Sequence, residues 1–301
     1  MSQPDLPRYR ESPVQIACGG ETLPGIVCHP RSNANRGAVP DAASDIGVLI
    51  LVGGPQYRAG SHRQFVLLAR YLAGHGHAVL RFDRRGMGDA SGAGVPFHAA
   101  QADVAAAVLA LRQAAPQVQK IVLWGLCDGA SAALLYWLHS ADASIAGLAL
   151  VNPWVRSAAT QARTRVKHYY LKRLGQAGFW HKLFAGKVKG LRAASELAGN
   201  LAGAVTSGAS AQSGAGWLGE MARALNLFPG PVLLVLSGQD YTAREFSEWM
   251  RTVPALRGFE HGARVTRCDA SDADHTFSTA LWRAEVERAT LAWLARMGKP
   301  A

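Results

Sequence analysis

Five residues, Gly125-Leu126-Cys127-Asp128-Gly129, constrain this chain more than any others. They follow the apolar run Ile121-Val122-Leu123-Trp124 and precede Ala130-Ser131-Ala132-Ala133-Leu134-Leu135. The first run reads as a buried strand and the second as a helix. Between them the turn must be tight and strained. Gly125 and Gly129 leave room where side chains would meet the neighbouring strand and helix. Cys127 is then set out at the carboxyl edge of a sheet, beside a helix N-terminus. That position favours a thiolate and a developing oxyanion.

Around this turn the chain alternates strands and helices. Val14–Cys18 and Leu23–His29 read as a hairpin turning at Gly19-Gly20. Ile46–Val52 is a continuous apolar run, the mark of a strand buried on both faces. A helix is expected around Arg63–Ala73, a strand over Ala78–Phe82 and a helix over Ala102–Ala114. Further strands are expected at Ile145–Val151, Pro231–Ser237 and Ala263–Cys268, and an amphipathic helix over Ala284–Arg296. This rhythm predicts an α/β fold with a mostly parallel central sheet covered by helices on both faces. It fails from about Val155 to Phe228, where no convincing strand is found and a Gly/Ala/Ser-rich tract runs from Gly199 to Gly216. The expected organisation is a core over residues 1–154 and 229–301, interrupted by a helical basic cap over 155–228.

The formal charge of +11 is concentrated in that insertion. Ten cationic residues lie between Arg156 and Arg192 with no Asp or Glu among them. A uniformly basic nucleic-acid binder would not be patterned this way, and no nucleic-acid partner is expected. Three readings of the cap stay open: a solvated face, a dock for anionic membrane lipid, and a recruiter of anionic substrate. No apolar run reaches the roughly 18 residues of a membrane span. The start of the chain has no signal-peptide pattern, so a cytoplasmic protein is expected, with peripheral contact at the inner membrane as an option. Cys18, Cys28, Cys127 and Cys268 are scattered, which supports neither a disulfide framework nor a zinc site. The Gly-Gly and Gly-x-Gly stretches at 53–54 and 86–88 match no phosphate loop. No cofactor and no metal is expected.

A thiol nucleophile needs a base and a group to orient that base. In folds with this strand–turn–helix elbow the order is nucleophile, acid, histidine. Asp240 follows the buried strand 231–237, and His275 lies in a loop after the last strand. The expected roles are Cys127 as nucleophile, His275 as general base and then acid, and Asp240 as orienter of the imidazole. Asp269, Asp272 and Asp274 compete as acids but sit too close to His275 in sequence. The oxyanion hole is expected from the backbone N–H of Asp128 and a second donor in Gly53-Gly54-Pro55-Gln56. Pro55 has no N–H, so Gly54 and Gln56 are the candidates. The loop Asp83-Arg84-Arg85-Gly86-Met87-Gly88-Asp89 reads as structural, shaping the pocket floor.

Three motifs carry a family resemblance. Gly-Gly-Pro-Gln-Tyr-Arg at 53–58 with Gly-Ser-His-Arg-Gln-Phe at 60–65, Asp-Arg-Arg-Gly-Met-Gly-Asp at 83–89, and Gly-Leu-Cys-Asp-Gly-Ala-Ser at 125–131 resemble the exosortase A system-associated hydrolase 1 family. The likeness spans nearly the whole core. It implies a bacterial α/β-hydrolase linked to exopolysaccharide production and protein sorting at the envelope, with no substrate specified. The cysteine elbow is also similar to those of dienelactone hydrolases and polyhydroxyalkanoate synthases. The resulting expectation is acyl transfer from an ester or thioester, on a small-molecule or lipid-linked substrate. Water, or the hydroxyl of a saccharide or lipid-linked acceptor, would take the acyl group. A non-catalytic binding protein that keeps the fold is the alternative of another class.

Overall fold

The computed structural model describes residues 8–31, 43–54, 56–156 and 212–298. Eight strands form one sheet: β1 (Tyr9–Cys18), β2 (Glu21–Pro30), β3 (Ile46–Leu51), β4 (Val79–Phe82), β5 (Lys120–Leu126), β6 (Ile145–Val151), β7 (Val232–Ser237) and β8 (Val265–Ala270). Their order across the sheet is β1-β2-β4-β3-β5-β6-β7-β8. β2 pairs antiparallel with both of its neighbours, and the strands from β4 to β8 pair in parallel. The expected hairpin forms, with Gly19 at φ 60° and Gly20 at φ 87°. A tight two-residue turn of this hand requires positive φ at both positions.

Burial follows the sequence pattern. β1, at the sheet's edge, alternates between buried and exposed residues, whereas β3 and β7 are buried throughout. Alternate side chains of the central strands point to opposite faces. On one face Val48, Ile50, Val122, Trp124, Val151 and Val235 pack with Phe65 and Leu72 of α1 (Gln64–Gly74) and with Val286, Trp293 and Leu294 of α6 (Ala280–Met297). The opposite face is covered by α2 (Gln101–Ala114) and α3 (Asp128–Ser140). This is the α/β-hydrolase fold.

Two helices depart from the sequence reading. α5 (Tyr241–Thr252) is not announced by the sequence pattern; it begins at Asp240, whose carboxylate accepts from Thr242 N at 3.0 Å and Ala243 N at 3.2 Å. α4 (Gln212–Leu227) lies inside the segment read as cap. The chain divides into two compact units, Met1–Trp154 with Glu220–Ala301, and Val155–Gly219, so the second half of α4 falls with the core. Phe228 stacks edge-on against Trp137 of α3 at 5.0 Å, and Arg264 donates to the Leu225 carbonyl at 2.7 Å. The cap's basic run from Arg163 to Arg192 and most of its Gly/Ala/Ser tract lie outside the described residues.

Candidate active site

Within five residues of the carboxyl ends of β3, β5, β6, β7 and β8 lie Gly53-Gly54, Cys127, Asn152, Asp240 and His275 respectively. A parallel sheet gathers residues from distant sequence positions along this edge, which is where open α/β sheets place their sites.

Cys127 sits at φ 60°, ψ −125°, a conformation that non-glycine residues adopt at a cost of order 1–3 kcal/mol. Packing holds it there. Its N–H donates to the Val151 carbonyl at 2.9 Å, and its carbonyl accepts from Ala130 N at 3.1 Å and Trp154 N at 3.2 Å. The flanking glycines are obligatory in this geometry. A Cβ on Gly125 would lie 2.5 Å from the Gly129 carbonyl carbon, and one on Gly129 would run into the Leu51 carbonyl. A Cβ on Gly53 would collide with the Leu126 carbonyl. Gly53-Gly54 therefore also lets the loop after β3 pass directly against the elbow.

Cys127, His275 and Asp240 come together. His275 Nδ1–H donates to Asp240 Oδ2 at 2.7 Å, and the Cys127 side chain is near enough to the same ring to favour its charged form. Burial opposes charge on this imidazole, but the Asp240 carboxylate and then Cys127 outweigh it and raise its pKa to about 10. Asp240 is almost fully buried and already oriented by the first turn of α5, so that Oδ2, while it accepts from Ala243 N, is directed at the ring. Asp274 is occupied elsewhere: it accepts from Thr276 N and Ser278 N, each at 3.1 Å.

The candidate donors of the oxyanion hole are placed less simply. Gly54, at φ 62°, donates its N–H to Asp128 Oδ1 at 2.6 Å. Gln56 is half-buried, and its side-chain oxygen accepts from Ser61 N at 3.1 Å. The Asp83–Asp89 loop is tied down around the buried Asp83 carboxylate, which takes the Arg58 guanidinium, Arg58 N at 2.6 Å and Asp89 N at 3.0 Å.

Sequence reasoning does not reach Asn152. This fully buried residue, at φ 45°, directly follows β6. Its amide donates to Ser237 Oγ at 2.9 Å and to the His275 carbonyl at 3.1 Å, and its oxygen accepts from Ser237 N at 2.9 Å. Ser237 Oγ in turn donates to the Asp274 carbonyl at 2.9 Å. The loop carrying His275 is thus fastened to β6 and β7 through the side chains of Asn152 and Ser237. The available signal is an asparagine directly after a buried strand, a residue that tolerates left-handed backbone. Asn152→Ala is expected to destabilise the protein by about 1–3 kcal/mol for the buried partners left unpaired, read as a lower urea midpoint. An unchanged midpoint would mean that the loop is held by other contacts.

This fold and this edge define a hydrolase of the α/β class. The sequence profile of the serine aminopeptidase S33 hydrolases matches residues 47–240, and the chain belongs to that family. The matched span takes in Cys127 at the elbow, where the family's name has serine, and ends at Asp240. No curated protein sequence matches the chain. Among solved structures it is similar to the esterase Pf2001 of Pyrococcus furiosus, with TM-score 0.62 and 20% identity over 99% of this chain and 96% of that one. A thermophilic esterase from Thermogutta terrifontis is similar at TM-score 0.54 and 20% identity, covering 96% of this chain and all of the other. The haloalkane dehalogenase DatA of Agrobacterium tumefaciens C58 is similar at TM-score 0.55 and 16% identity, over 95% and 97%. At these identities the likeness establishes the fold.

Proposed function

We propose that this hydrolase transfers acyl groups from an ester or thioester through Cys127, His275 and Asp240. The observation that carries the reading is the single imidazole bonded to a buried, helix-capping carboxylate and held in its charged form by that carboxylate and by the elbow cysteine. The mechanism starts from the imidazolium, held to about pH 10, beside the Cys127 sulfur. The thiolate attacks the acyl carbon, and the carbonyl π pair moves onto oxygen. Collapse expels the leaving group, which takes the proton from His275 Nε2, and leaves a thioester on Cys127. Neutral His275 then removes a proton from the acceptor as its oxygen attacks. The second collapse returns the electron pair to sulfur and restores the ion pair. Asp240 holds the ring with Nε2 turned to the sulfur throughout.

The esterase neighbours support an ester as the acyl donor, and the motifs at 53–65, 83–89 and 125–131 support a role beside exopolysaccharide and exosortase systems. A thioester intermediate suits transfer to a hydroxyl as well as to water. A saccharide or lipid-linked acceptor is therefore part of the proposal, and an anionic one would match the chain's net charge of +11. An anionic membrane surface would match the same charge, as a peripheral dock.

Intact-protein mass spectrometry tests this after incubation with a panel of acyl thioesters and activated esters. A mass gain equal to the acyl group, lost in Cys127→Ala, is expected; no adduct and no turnover with any donor would refute it. Selective alkylation is a second expected outcome. Cys18 and Cys28 are buried, and burial pushes the Cys28 thiol up to about 12. Burial raises Cys268 as well. Near pH 6, iodoacetamide should label Cys127 first, and His275→Ala should slow that labelling alone. Equal labelling of all four thiols would contradict an activated Cys127.

A further inference from the structure

The Asp128 carboxylate takes an N–H group of the kind that acyl transfer uses to hold the substrate's oxygen. In this fold the hole is formed by the N–H of the residue after the nucleophile and an N–H from the loop after β3. Here the second of these, Gly54 N–H, is bonded to Asp128 Oδ1 at 2.6 Å. The N–H groups of Asp128 itself and of Gly129 bear on the same carboxylate. The group is only 20% exposed, and burial raises its pKa against the pull of Arg84 and of these N–H groups. Arg84 lies on its other side, with Nη2 3.7 Å from Asp128 Oδ2, longer than a close ion pair. That guanidinium is 3% exposed, and its Nε and Nη1 have no hydrogen-bond partner among the described residues. A buried cation with unpaired donors is costly. It is an under-used seat for an anion, 3.7 Å from the Asp128 carboxylate.

We propose that Asp128 is a self-supplied plug of the oxyanion hole, and that Arg84 receives its carboxylate when a substrate carbonyl oxygen takes the hole. The inference rests on the acyl-transfer reading. Two negative oxygens cannot share these N–H groups, so the plug competes with the tetrahedral intermediate. A substrate with binding contacts elsewhere can displace it, whereas a small ester must do so with little help. Asp128 thereby sets specificity against small, weakly held acyl donors, and Arg84 is the positioning residue that makes displacement possible.

The test compares two reactions at Cys127. Acylation by p-nitrophenyl acetate, followed by nitrophenolate release and intact mass, needs the hole. Alkylation by iodoacetamide needs the thiolate and no hole. Asp128→Ala is expected to raise the acylation rate about ten-fold or more, the worth of one charge-assisted hydrogen bond, with alkylation changed less than about two-fold. Asp128→Asn, which keeps the shape without the charge, should act in the same direction. Arg84→Met should slow acylation in the wild-type background and have no effect in Asp128→Ala. Unchanged or slower acylation in both Asp128 variants, with alkylation intact, would overturn the plug. So would an equal effect of Arg84→Met in both backgrounds. If Cys127 alkylates but neither wild type nor any variant acylates, the acyl-transfer reading itself fails, and the plug with it.

Discussion

Replacement of His275 by glutamine is expected to lower kcat/KM for any acyl donor the protein turns over by about 10²–10⁴-fold, the usual worth of a positioned acid–base group. The loss should exceed a bare proton-transfer defect, because in the proposed mechanism the same ring also pairs with the attacking sulfur of Cys127. A second readout follows from the raised pKa of about 10. The unfolded imidazole titrates near 6.5. The folded protein therefore holds a proton that the unfolded chain has released between these values, and stability falls with rising pH across that window. The stability given by His275 is fully present below about pH 6.5 and is lost as pH climbs through about 10. Melting temperatures of wild type and His275→Gln should differ most near pH 6.5 and converge toward pH 10. A gap that stays constant would show that the ring is held by packing rather than by charge. Asp240→Asn should flatten the same gap, since burial alone would lower the ring's pKa and the carboxylate does most to raise it.

The residues of this site were unequally legible in the sequence. The elbow was legible because its geometry needs glycine at two fixed offsets after an apolar run, a demand that few other turns make. Asp240 and His275 were legible from chain order and from their places after strands, and their meeting at 2.7 Å is what the parallel sheet brings about. Asp128 was legible only for its backbone N–H. That its carboxylate would turn back to Gly54 depends on how closely the loop after β3 passes the elbow, which the sequence hints at only through Gly53. Asn152 was hidden because its partners, Ser237 and His275, lie 85 and 123 residues away. α5 was hidden because its strongest signal, the capping Asp240, was already claimed by the chemistry; one carboxylate does both jobs. The sheet was legible in its buried strands, where continuous apolar runs leave little choice, and least so at the cap boundary, where half of α4 packs on the core.

The largest expected effect on stability lies at the glycines of the elbow. Gly125→Ala would put a methyl group 2.5 Å from both the carbonyl carbon and oxygen of Gly129 and closer still to Ala130 N. Gly129→Ala would drive one into the Leu51 carbonyl, 3.0 Å from its carbon and 3.2 Å from Gly53 N. All of these atoms are backbone, belonging to α3, to β3 and to the loop that follows it, so no side chain can rotate away. Relief requires β5 to move relative to its neighbours or α3 to start later, and either shift undoes the hydrogen bonds that hold Cys127 in its strained conformation. Each substitution should cost more than about 3 kcal/mol, beyond ordinary overpacking. For a core of this size that is a fall of about 10 °C in melting temperature. Gly216→Ala supplies the contrast: it lies in α4, and its added Cβ meets nothing within 4 Å among the described residues. There the change should stabilise the protein by up to about 1 kcal/mol, since alanine favours helix and restricts the unfolded chain. If Gly125→Ala melted within about 2 °C of wild type, the close passage of strand and helix at the elbow would be wrong, and the placement of Cys127 would fall with it.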